Sequence, residues 1–232
     1  MTITPVIYDW RLSCEPVNSL FRAGGQGIAG GMTLGGAMIS NPEPGGRAEL
    51  IMDFARFVTP QQNTDASWLA SRITNGAVMR VRLAQSVQLV PWADLDIADT
   101  GQTWANGEAW ANDALWRASP YALISAAADE GAETLVVDMS VLGRVLKIGH
   151  VIGAFRDGYD FAHMVMDIEY DDDDAATLTV SPPLRRGQGV GGRILFRPAM
   201  LGVCANASEV AGTFLRGLHG QFGTVRMVEA LV

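Results

Sequence analysis

The sequence predicts a mainly β fold: an antiparallel sandwich or barrel-like sheet with one short helix and an inserted region of turns rich in tryptophan. Three observations lead there. Apolar and polar residues alternate through the C-terminal half, glycine and proline punctuate the runs, and a single segment clearly repeats its apolar residues at helical spacing. Residues 1–90 read as the N-terminal part of a β-domain with its helix, 91–131 as the Trp-rich insertion, and 132–232 as the β part that completes the same core.

The opening part is rich in glycine. From Leu20 to Gly46 glycine recurs at turn-sized intervals, until Asn41, Pro42 and Pro44 break the run. The phosphate-loop pattern GxxxxGK[ST] is absent and no strong helix start follows, so this stretch is expected as a flexible or interface-forming loop that orders against a neighbour. Ala48–Val58, AELIMDFARFV, reads as a strand of mixed burial. The helix comes next, with Thr64 and Asp65 as N-cap candidates and Asn75-Gly76 suited to a left-handed C-terminal cap. Within it Trp68, Leu69, Arg72 and Ile73 set an i, i+4 apolar pair beside a polar face. Beyond the turn, Val78, Arg80 and Arg82 alternate with Met79, Val81 and Leu83, which predicts a half-buried strand with arginines on its outer face.

Between Pro91 and Gly131 lie four of the six tryptophans, with Trp104, Trp110 and Trp116 spaced by six. Six fits neither a helix nor an odd strand step, and Asn106-Gly107 and Asn112-Asp113 mark turns. The indoles are expected either to pin this excursion to the main sheet or to form a protein contact. Residues 132–198 are the most regular β region. FAHMVMDIEY alternates up to an acidic turn, Asp171–Asp174, and ATLTVSPPLR returns as its partner strand, stopping at Pro182-Pro183. A second glycine loop, RRGQGVGGR, leads into a short ILFRP strand. LGVCANA, a glycine-punctuated stretch and the closing strand TVRMVEALV complete the chain, and an early and a late strand are expected to share one sheet.

Composition narrows the function. The 232 residues carry 17 basic and 25 acidic side chains for a net charge of −8, with only 18% charged residues and 26 glycines. Such a chain is poorly matched to phosphate neutralisation, so no nucleic-acid partner is expected. No stretch approaches the roughly 18 apolar residues of a membrane span, and the N-terminus lacks a leader pattern. Low charge with excess glycine points to surface hidden against other protein. Cys14 and Cys204 form no CxxC pair, and His150, His163 and His219 lie in separate segments without ligand spacing. No catalytic, cofactor or metal site is therefore expected. The run Asp171–Asp174 lacks EF-hand spacing and reads as a solvated turn. Asp53, Asp138, Asp167 and Glu169 suit outward strand positions. Lys147 is the sole lysine, and arginine is favoured at interfaces because its planar fork binds in two places at once. Arg185, Arg186, Arg193 and Arg197 are the residues expected at a subunit contact, with Trp104, Trp110 and Trp116 as a second set.

The alternating strand, the acidic turn, TLTVSPPLRRG and the following IxF strand together resemble the C-terminal halves of minor tail proteins of long-tailed bacteriophages. In that family the proline pair and arginine close a β-hairpin, a role that falls here to Pro182, Pro183 and Arg185. FRAGGQGIAGG followed by GGRAELIMDF is similar to the family's N-terminal loop and first core strand, WANGEAWAND to its inserted turn repeats, and VRMVEAL to its closing strand. Arg47 and Ala48 stand where the family has an aromatic. The resemblance implies a tail-tip component of the distal-tail or baseplate-hub kind. Such a protein is made in the host cytoplasm and resides in the virion, where it forms a ring with copies of itself and joins the tail tube to other tail proteins. Two other readings follow from the residues: a carbohydrate-binding module or host-surface adhesin that stacks sugars on the tryptophans, and a small hydrolase such as a tail-associated peptidase.

Overall fold

The computed structural model describes residues 5–24, 27–32, 38–42, 46–83, 121–140, 142–172, 174–214 and 220–231. Strand alternation builds two β systems. The first is a six-stranded sheet of β1 (Ile7–Asp9), β2 (Asn18–Arg22), β5 (Glu49–Asp53), β6 (Val78–Arg82), β13 (Ala199–Cys204) and β14 (Val225–Glu229). Its order is β1-β6-β13-β14-β5-β2, so early and late strands share one sheet as the sequence predicts. Among the described residues only β1 and β6 run parallel. The second is a closed barrel of β7 (Tyr121–Ala126), β8 (Thr134–Asp138), β9 (Val151–Arg156), β10 (Tyr159–Tyr170), β11 (Ala175–Ser181) and β12 (Arg193–Leu195). Between β2 and β5 a separate hairpin pairs β3 (Gly27–Met32) with β4 (Met38–Pro42).

The barrel segment lies in the chain between β6 and β13, which are neighbours in the sheet. The mainly β class holds, and it takes the form of an open sheet beside a barrel. The pairing also runs across the 131/132 boundary, since β7 and β8 are joined in the barrel. Of the 91–131 region, residues 91–120 are outside the described part.

The expected hairpin is present. Strands β10 and β11 pair antiparallel around the acidic turn, where the Asp171 carboxylate accepts the Ala175 N–H at 2.7 Å and Arg144 meets Asp174 at 2.9 Å. On β6, Met79 and Val81 are buried while Arg82 is exposed, the face assignment that the alternation gives.

The helix α1 (Pro60–Thr74) starts earlier than its expected caps Thr64 and Asp65. Thr59 is the N-cap, its hydroxyl accepting the Gln62 N–H at 3.2 Å while the Gln62 side chain accepts the Thr59 N–H at 3.1 Å, and Pro60 occupies the first turn. Thr64 instead donates back to the Pro60 carbonyl. The C-terminal reading holds: Asn75 is the C-cap and Gly76 adopts φ +69°. A second helix, α2 (Ala207–Phe214), occupies part of the glycine-punctuated stretch, so among the described residues the one expected α-helix is joined by another. Among the described residues no helix is long and apolar enough to cross a membrane.

Two cores result. The sheet packs against α1 over an aromatic cluster in which Phe222 meets Phe54 and Phe57 edge-on, at 5.4 and 5.1 Å between centroids, and Trp10 stacks on Phe54 at 5.7 Å. The barrel interior is mainly aliphatic, built from Ile124, Leu135, Val137, Ile152, Val165 and Leu178 around Phe196. Val151 and Ala162 of the barrel join the sheet's core, so the wall formed by β9 and β10 packs onto the sheet.

Candidate functional site

Two arginine clamps fasten the barrel to the sheet. Arg185, in the loop after β11, sends its Nε to both carboxylate oxygens of Glu229 at 3.1 Å and its Nη2 to Glu229 Oε2 and the Gly46 carbonyl, each at 2.7 Å. Glu229 sits on β14 with only 2% of its side chain exposed, and it also accepts the Ala48 N–H at 3.1 Å. Expected at a subunit contact, Arg185 thus joins three segments of its own chain. The second clamp is Arg80, whose Nε meets Asp160 at 2.6 Å and whose Nη2 reaches the Gly158 carbonyl at 3.0 Å. Burial pushes the Asp160 carboxyl above the usual carboxylate range despite the opposing pull of Arg80.

The other predicted arginines lie along the barrel. Arg186 stacks over the Tyr159 ring at 4.4 Å and approaches Asp157 at 3.6 Å. Arg193 is exposed and lies over Tyr121 at 4.6 Å, and Arg197 is exposed where the chain leaves the barrel. The glycine loop that links Arg186 to Arg193 needs no neighbour for its order. Ala128 and Gln188 exchange backbone hydrogen bonds at 2.9 and 2.7 Å, and the Gly191 N–H reaches Ile124 at 2.8 Å. Trp104, Trp110 and Trp116 lie outside the described residues.

At one end of the barrel the β7–β8 turn, the β9–β10 turn and the loop after β11 enclose an open groove of about 920 Å³, with Glu130, Glu133, Arg156 and Asp157 at its sides and Phe161 and Leu184 beneath. His163 lies on the same strand as Phe161, opposite Ile152. Its Nδ1 is 2.7 Å from the Pro182 carbonyl, while Nε2 is buried with no hydrogen-bond partner among the described residues. Burial holds the imidazole below its usual pKa, hence neutral, and burial raises the thiols of Cys14 and Cys204, which keeps them protonated. Among the described residues no group of three His, Cys, Asp or Glu side chains could hold a metal ion. Gly25, Gly27 and Gly30 do stand at GxGxxG spacing, but the chain continues as strand β3 where a dinucleotide site requires a helix.

One cluster went unread in the sequence. Beside the edge strand β1, Arg11 lies over the Trp68 ring at 4.4 Å, and Arg72 lies over Tyr8 at 4.5 Å and Trp68 at 5.5 Å. Tyr8 and Trp68 meet edge-on at 5.9 Å. Arg72 and Trp68 share one face of α1 at i, i+4, but nothing local announces Tyr8 and Arg11, some sixty residues upstream.

No protein-family model matches the chain, and no curated protein matches it.

Proposed function

We propose that this chain is a structural protein of a bacteriophage tail tip or baseplate, which assembles head to tail into a ring that links the tail tube to distal host-recognition components. The observation that carries the reading is the open six-stranded sheet. Among the described residues it ends in two unlike edges, β1 and β2, and exposed apolar side chains stand beside both: Val6 near β1, and Val17 and Leu20 at β2. Unpaired strand edges are templates for a further strand, and monomeric proteins normally blunt them with charge or cover. Pairing β1 of one copy with β2 of the next is a heterologous contact, which closes into a ring when the rotation per subunit allows. The resemblance of the PPLR hairpin and the closing strand to tail-tip proteins supplies the biological setting. The rival glycan-binding reading rests on Trp104, Trp110 and Trp116, for which the described residues offer no geometry.

Size-exclusion chromatography with light scattering, followed by electron microscopy of the purified chain, tests the proposal. Closed rings of one defined mass are expected. A monomer at every concentration up to the solubility limit overturns it.

A further inference from the structure

We infer that the Arg185–Glu229 clamp is a coupling device through which the barrel, by docking on the sheet, locks the root of the β3–β4 hairpin. Every contact involved lies within one chain, so the coupling does not depend on the ring reading.

The hairpin has little to hold it in place by itself. Among the described residues β3 and β4 pair with each other and with no other strand. A lone two-stranded hairpin is marginal in water, so its order has to be imposed where it joins the body of the protein. That root lies between β2 and β5, which are neighbours in the sheet and whose last pair on this side is Arg22 opposite Glu49.

Beyond that pair the root is closed in three steps. The Glu49 carboxylate meets Arg22 at 3.4 Å and Arg226 of β14 at 2.6 Å, which ties the pair to the strand on the other side of β5. Glu229 of β14 then holds Ala48 twice: its backbone N–H donates to the Ala48 carbonyl at 2.8 Å, and its carboxylate accepts the Ala48 N–H at 3.1 Å. Last, the two stems touch. Gly24 stands at φ +88°, and a Cβ there would run into the Gly46 carbonyl, so glycine is what lets the outgoing and returning chain come so close. That same carbonyl is the one Arg185 grips, through the Nη2 that also meets Glu229.

Arg185 is the piece of this lock that the sheet does not own. It comes from the loop that follows the barrel strand β11, and it reaches Gly46 across 139 positions of sequence. Its planar fork can serve a carboxylate and a carbonyl together, where one point charge would serve either less precisely. Without the seated barrel, Gly46 loses this donor and Glu229 this cation, and the root is left to contacts from within the sheet. Order in the hairpin is thereby made conditional on the barrel's position.

Hydrogen exchange followed by NMR on the full chain tests the coupling. The amides of Ile28, Ala29, Ser40 and Asn41 report on the hairpin, those of Val137 and Leu178 on the barrel, and those of Val203 and Val228 on the sheet. Two variants attack the lock independently. Arg185→Ala/Glu229→Gln removes the grip on Gly46 without stranding a buried charge, and Gly24→Ala forces the stems apart while leaving Arg185 in place. Circular dichroism and thermal melts establish that each is folded. In both, hairpin exchange is expected to accelerate about tenfold or more, with the barrel and sheet reporters within about twofold of the wild type. Hairpin amides that stay as protected in both folded variants as in the wild type overturn the coupling, and so does a wild-type hairpin that exchanges as fast as an unstructured chain. Acceleration in Gly24→Ala alone overturns it as well, since the root then holds without the barrel. A uniform acceleration of all reporters has the same consequence, because the clamp would then act on general stability and not on the hairpin.

Discussion

The barrel and the sheet answer one physical problem in opposite ways. Every strand of the barrel has two neighbours, so closure leaves no edge strand to offer. Among the described residues the sheet stops at β1 and β2. Their interiors differ as well: the barrel is filled mainly with aliphatic side chains, the sheet with interlocking aromatic rings under α1. A region that satisfies itself can be displayed. If the chain assembles into the proposed ring, the sheet is where the contacts would form.

The comparison can be broken first at the aromatic cluster. Phe222→Ala removes the ring that meets both Phe54 and Phe57 edge-on and should cost about 3–5 kcal/mol in urea unfolding. Leu178→Ala in the barrel should cost about 2–5 kcal/mol, and the ratio of the two effects measures how far aromatic interlocking makes the sheet the less forgiving core. Next comes the joint between the regions. Arg185→Ala leaves the Glu229 carboxylate buried without its cation and should cost about 3 kcal/mol or more by the same measurement, while adding Glu229→Gln should recover part of the loss.

A smaller effect concerns His163. Its folded-state pKa lies below the ordinary value, so on acidification the unfolded chain takes up the proton first. The stability contributed by the neutral imidazole is complete above about pH 6.5 and declines as pH falls below it, by at most about 1.4 kcal/mol per pH unit. Comparison of wild-type and His163→Gln melting curves between pH 7.5 and 5 at roughly half-unit steps should show this slope only in the wild type. Smallest is the cap: Thr59→Ala should cost about 1 kcal/mol and fray the start of α1, visible as faster amide exchange at Gln62.

Local patterns in the sequence translate well into local structure. The β10–β11 hairpin, the buried side of β6 and the Asn75-Gly76 helix end each depend on residues within a few positions of one another, and each is where the alternation or turn chemistry puts it. The start of α1 was misplaced because its capping box, Thr59 with Gln62, precedes the apolar positions that draw attention to the helix. Barrel closure is of another kind. It depends on β12 pairing with both β7 and β9, a relation between distant segments that no periodicity encodes. The arginines make the same point. Interface preference placed Arg185 on the outside, but its partners are 44 and 139 positions away, so only the fold could reveal that its fork grips Glu229 and Gly46. Trp68 is legible as part of a helix and Tyr8 as part of nothing, and only the fold brings their rings together at 5.9 Å.

The place where the barrel enters the chain gives the sheet an unexpected modularity. Strands β6 and β13 pair antiparallel with Arg82 opposite Ala199, and the Leu83 N–H reaches the Pro198 carbonyl at 3.1 Å, so the two ends of the intervening segment already lie one hydrogen bond apart. Viewed from the sheet alone, the barrel hangs from the tip of a hairpin, and evolution could exchange it for another module or for a tight turn without redrawing a single ladder. The clamps limit that freedom. Any replacement must supply a cation for Glu229, whereas Arg80 keeps Asp9 of its own sheet at 3.4 Å, so the sheet would inherit one stranded charge. Lineages that swap this module should therefore change Glu229 in step with it.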